Sequence, residues 1–72
     1  MNIIDAMKVL DAGGTIQKGT DPRTQRFKKK HNKIALYEWQ NSYEGYSYFK
    51  ADGDYTFSAE DIQRTDWIEV KD

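Results

Sequence analysis

The sequence predicts an α+β domain: a small antiparallel sheet of about five short strands, one N-terminal helix and one short C-terminal helical turn. Three observations lead there. Apolar residues recur at helical spacing from Ile3 to Leu10, and Gly13-Gly14 follows them. Lys33–Trp39 alternates as strands do, and Tyr46–Lys50 is a second short run rich in β-favouring aromatics. Ser58 and Asp61 stand three apart, the spacing of a capping box, shortly before the strand-like Trp67-Ile68-Glu69-Val70.

In chain order, Asn2 supplies an N-cap for a helix over Asn2–Ala12, and Asp5 puts a negative charge in its first turn, where the helix dipole favours one. Ile3, Ala6, Met7 and Leu10 share a face that Ile4 and Val9 widen. Thr15–Lys18 is a short strand. The fourteen residues Gly19–Asn32 show neither helical nor strand period. Asp21-Pro22 marks a turn there, and Arg23, Arg26, Lys28, Lys29, Lys30 and His31 form a basic loop around Phe27. In so small a domain, a loop of this length is either a solvated, mobile segment or a functional one.

Lys33–Trp39 is the central strand, with Ile34 and Leu36 on one side and Ala35, Tyr37 and Trp39 on the other. Asn41–Gly45 connects it to the strand Tyr46–Lys50. Asp52-Gly53 is then a hairpin signal that returns the chain through Tyr55-Thr56-Phe57. After the capped turn, in which Phe57 and Ile62 fall at staple positions, Trp67–Val70 adds the last strand.

Seventy-two residues make one domain, 1–72, with a small core. There is no cysteine, which excludes a disulfide framework and a thiolate metal site. Oligomerisation is the remaining way to reinforce so small a fold, and the 14% aromatic content suits a thin sheet completed by a second copy, as a dimer or tetramer. No apolar run approaches a membrane span, and no signal peptide is visible, so a cytoplasmic protein is expected. The net charge of −1 conceals an asymmetry. Lys18–Lys33 holds seven basic residues against Asp21, whereas Glu38–Asp72 holds nine acids against three bases.

Two stretches carry a family likeness: Asn2-Ile3-Ile4-Asp5-Ala6-Met7-Lys8-Val9-Leu10 with Gly13-Gly14, and Glu60-Asp61-Ile62-Gln63-Arg64-Thr65-Asp66-Trp67-Ile68-Glu69-Val70. Together they resemble the second Thoeris anti-defence family of phage sponge proteins. The resemblance implies an oligomer without catalysis. It implies binding of a cyclic ADP-ribose-type signal, made by a TIR-domain defence enzyme, in pockets at subunit interfaces. Sequestering that signal keeps the downstream effector inactive. Members commonly carry a tryptophan soon after the basic residue that ends the first strand; here Lys18 is followed by Gly19-Thr20-Asp21-Pro22, and Phe27 is the next aromatic.

Enzyme signatures are missing from the sequence itself. His31 has no cysteine and no second histidine to share a metal, and Asp52 and Asp54 belong to a turn. Neither a cofactor nor a metal is expected. A nucleotide-like ligand needs an aromatic face, phosphate donors, and acceptors for ribose hydroxyls. Tyr37 and Trp39, Tyr46 and Tyr48, and Trp67 are the aromatic candidates, although Trp67 fits a core position better and the Tyr46/Tyr48 pair fits an oligomer interface equally well. Lys18, Arg23 and Arg26 are the phosphate candidates, and Asp66 or Asn41 could accept from ribose. The alternatives are a nucleic-acid-binding module using the basic loop and a protein-binding inhibitor using the Tyr-rich hairpin. The acidic half opposes the first unless its carboxylates face away.

Overall fold

The computed structural model describes residues 1–20 and 25–71. The elements run α1 (Ile3–Asp11), β1 (Thr15–Lys18), β2 (Gln25–Lys30), β3 (Lys33–Ser42), β4 (Gly45–Asp52), α2 (Ala59–Gln63) and β5 (Trp67–Val70). The five strands form one sheet in the order β4-β3-β2-β1-β5, each neighbouring pair antiparallel. This is the α+β architecture expected from the sequence.

Local chemistry accounts for both helices. The Asn2 side chain accepts from the Asp5 N–H at 2.9 Å, and Gly13 leaves α1 at φ +87°, a conformation open to glycine at no steric cost. At α2, Ser58 and Asp61 cap each other: the Ser58 hydroxyl accepts from the Asp61 N–H and the Asp61 carboxylate from the Ser58 N–H. The staple does not form as expected. Phe57 turns inward onto Phe27 and Trp67, while Ile62 stays half exposed. Ile4 likewise lies on the outer side of α1 rather than widening its buried face; Ala6 and Leu10 are the buried contacts.

Pairing register sorts the strand residues into two faces. Ile16 pairs with Phe27, Phe27 with Leu36, and Lys18 with Trp67, so these side chains share the face covered by α1 and α2. The core is Ala6, Leu10, Ile16, Phe27, Leu36 and Trp67, with Phe27 and Trp67 meeting edge to face at 5.7 Å. The other face receives Thr15, Gln17, Arg26, Lys28, Tyr37 and Trp39 among others, and no helix packs on it.

Two strand assignments differ from the sequence reading. Gln25–Lys30, expected within a loop, is β2 at the centre of the sheet, paired along its length with β3 and with β1 at Phe27 and Lys28. Its period hides behind polarity: Phe27 points into the core, while Arg26, Lys28 and Lys30 point to the open face. A two-residue turn, His31 at φ 52° and Asn32 at φ 63°, joins β2 to β3. Conversely, Tyr55–Phe57 is not a strand. Only Tyr55 bonds the sheet there, N–H to Ile34 carbonyl at 2.8 Å, and both rings of Tyr55 and Phe57 pack on Phe27. The Asp52 carboxylate accepts from the Asp54 N–H, closing a side-chain turn in place of the hairpin. The connection expected over Asn41–Gly45 shortens, because β3 runs on to Ser42 and β4 begins at Gly45.

Candidate functional site

On the open face the aromatic side chains come from β3 and β4 and the neighbouring cations from β2, with Thr15 and Gln17 of β1 beside them. Tyr37 and Trp39 alternate on β3; Tyr46 and Tyr48 alternate on β4; register sets Tyr48 opposite Trp39 and Tyr46 opposite Asn41. The two aromatic pairs, separate in sequence, therefore merge into one cluster. Trp39 stacks on Tyr46 with planes 4° apart and centroids at 5.8 Å, and meets Tyr48 edge to face at 4.8 Å. Trp39 and Tyr46 remain 41% and 63% exposed, which for large rings packed on each other leaves a platform rather than a core.

Cations interleave with these rings. The Arg26 guanidinium lies over Tyr48 at 4.3 Å, and the Lys30 ammonium over Tyr37 at 5.7 Å. Among the described residues, Arg26, Lys28 and Lys30 have no ion-pair partner, and the buried Arg26 Nε and Gln17 Oε1 atoms have no hydrogen-bond partner. Thr15, Arg26, Lys28, Lys30, Tyr37 and Tyr48 surround a shallow concavity of about 250 Å³. A second, of about 280 Å³, lies at the hairpin end between Lys30, His31, Lys33, Ala35, Lys50 and Gly53.

Among the described residues no acidic strand residue shares this face: Glu38, Asp52 and Glu69 pair in register with Gln25, Leu36 and Ile16 of the helix side. Lys33 does have a carboxylate nearby, Asp54 at 3.8 Å, a long and exposed pair.

The remaining sequence candidates sit elsewhere. Lys18 points to the helix side and binds Asp61 at 2.9 Å. Burial pushes the Asp61 carboxyl up, but the Lys18 ammonium, the Ser58 N–H and the Tyr55 hydroxyl outweigh it, so its pKa is lowered. Burial and the Asp61 charge push Tyr55 up. Asp66 is held by Arg64 through two bonds at 2.8 and 2.7 Å, and Arg64 also donates to Thr20; the guanidinium lowers the Asp66 pKa and the carboxylate raises that of Arg64. Trp67 is 1% exposed and donates its indole N–H to the Asp61 carbonyl, a core position. Arg23 lies outside the described residues. The site thus gathers Arg26, Tyr37, Trp39, Asn41, Tyr46 and Tyr48 and leaves Lys18, Asp66 and Trp67 in the scaffold.

Sequence reasoning did not include Lys28, Lys30 or Gln17 in the site. The signal was present as Arg26-x-Lys28-x-Lys30 around an inward Phe27, a period of two masked by lysine's low strand preference. Among the described residues no group of three or more His, Cys, Asp or Glu side chains could hold a metal, and no helix is long and apolar enough to cross a membrane. No family model, curated protein or solved structure matches this chain.

Proposed function

We propose that this chain is a phage-type anti-defence sponge that binds a cyclic ADP-ribose-type signal, or a related cyclic nucleotide, on its open sheet face and releases it unchanged. The observation that carries the reading is Arg26: an arginine without a carboxylate partner among the described residues, stacked on Tyr48, beside Lys28 and Lys30 and an exposed Trp39–Tyr46 platform. Guanidinium and ammonium groups suit phosphates, and the rings suit a base. The sequence resemblance supplies the class of signal and its sequestration from a TIR-based Thoeris defence.

One chain gives a concavity of about 250 Å³, below the roughly 300–1,000 Å³ of an enclosing ligand pocket. A second copy laid against the face would enclose the exposed side of the ligand, in keeping with a homo-oligomeric sponge. The test is calorimetric titration with cyclic ADP-ribose isomers and cyclic dinucleotides, followed by heating and chromatography of the released ligand. Saturable binding of one of them with intact recovery supports the sponge. Absence of binding across the panel, or recovery of a converted product, overturns it.

A further inference from the structure

The open face continues past the first concavity. Lys30 lines both concavities, so the aromatic platform at one end and the β2–β3 turn at the other are joined without an intervening carboxylate-bearing strand position. From Tyr46 and Trp39 the surface passes over Tyr48 and Arg26 to Lys30, then to Lys33 and Lys50. The rings stand at one end of that path and the cations follow toward the other, spaced as a sheet spaces them, about 4.8 Å between strands and about 6.8 Å between alternate residues. A compact nucleotide needs only one part of it.

We propose that this face is a track for a single strand of nucleic acid, with bases stacked on Trp39 and Tyr46 and phosphates carried by Arg26, Lys30, Lys33 and Lys50. Charge complementarity selects the occupant. The acidic half of the chain repels a polyanion only where its carboxylates share the surface: Glu38, Asp52 and Glu69 pair toward the helix side, Asp61 and Asp66 are engaged by Lys18 and Arg64, and Asp54, at the hairpin end, lies in a long, exposed pair with Lys33 that a phosphate can displace. A duplex keeps its bases stacked on one another and has no use for exposed rings, whereas unpaired bases present a π-face to each of them. The proposal needs the hairpin-end lysines, which the small-ligand reading does not use, so each can fail without the other.

Fluorescence anisotropy with labelled dT10 and a ten-base-pair duplex, from 50 to 200 mM salt, tests it. The strand binds more tightly than the duplex, and log K falls against log salt with a slope near −3, about −0.7 for each of four cations engaged. Trp39→Ala weakens dT10 binding by about tenfold or more. Lys33→Glu with Lys50→Glu weakens dT10 while leaving cyclic-nucleotide titrations as in the parent protein, and thermal melts check that both variants fold. Absent dT10 binding at 50 mM salt, equal affinity for the duplex, or parent-like dT10 binding by the charge-reversed variant overturns the track. Heparin bound as tightly as dT10, with Trp39→Ala without effect, would make the face a general polyanion patch and overturn it too.

Discussion

Arg26 on β2 reaches across β3 to lie over the ring of Tyr48 on β4, 4.3 Å from guanidinium carbon to ring centre. The stack fixes the plane of the cation, and its buried Nε has no acceptor among the described residues. Side chains from three strands are thereby gathered at one place on the open face.

Replacing Arg26 separates charge from geometry. Arg26→Lys keeps the positive charge and loses the planar fork, so cyclic-nucleotide affinity falls by about tenfold or more, while Arg26→Ala abolishes detectable binding. Because the lost contact within the protein is a cation–π pair of about 0.5–1 kcal/mol, both variants melt close to the parent. Calorimetry beside thermal melts reads the two effects separately.

The two tryptophans behave oppositely. Trp67→Ala empties the space between Phe27, Phe57 and the helices and costs roughly 3–5 kcal/mol, enough to unfold much of a domain this small. Trp39→Ala removes an exposed ring and leaves urea unfolding nearly unchanged, with the loss falling on binding.

Asp61 sets the acid limb of stability. Its carboxyl is held below its ordinary value in the folded chain, so its stabilisation is complete above the unfolded value near pH 4 and disappears as pH falls through the folded value. Asp61→Asn breaks the Lys18 ion pair and weakens the cap, costing roughly 3 kcal/mol at neutral pH and flattening the dependence of melting temperature on pH below 5. Urea melts of both proteins between pH 3 and 7 show whether the two curves converge in acid.

Backbone geometry makes two further positions informative. A Cβ on Gly19 would meet the Asp66 carbonyl oxygen at 2.7 Å, the same oxygen that accepts the Gly19 N–H, so Gly19→Ala separates β1 from the approach to β5 and destabilises by about 1–3 kcal/mol. The His31-Asn32 turn has both residues left-handed, so His31→Asn with Asn32→Gly raises stability by about 1 kcal/mol, a shift of roughly 4–8 °C. Thermal melts check both.

Elements specified by near neighbours were legible in the sequence: the Asn2 and Ser58 caps, the Gly13 exit and the Trp67–Val70 strand all rest on contacts or alternation within a few residues. β2 was not, because a run with one apolar residue among four cations becomes a strand only when Phe27 finds Ile16 and Leu36 on either side. Tyr55–Phe57 misled for the converse reason. Its aromatic residues favour strands and follow Asp-Gly, yet their rings are consumed by the core around Phe27. At the site, each aromatic pair was visible on its own strand; their union with Arg26 required the β2–β3–β4 register, which no local pattern encodes.

On the proposed reading the β2–β3–β4 face, not the helix side, receives a nucleotide anion. Thermal unfolding of the parent protein, Arg26→Ala and Trp39→Ala with and without cyclic ADP-ribose isomers tests it most directly, since a ligand that binds only the folded state raises the midpoint. The expected result is a rise of several degrees for the parent protein with one isomer and none for either variant, with unliganded midpoints alike. An equal rise in all three, or no rise in the parent protein, would contradict it.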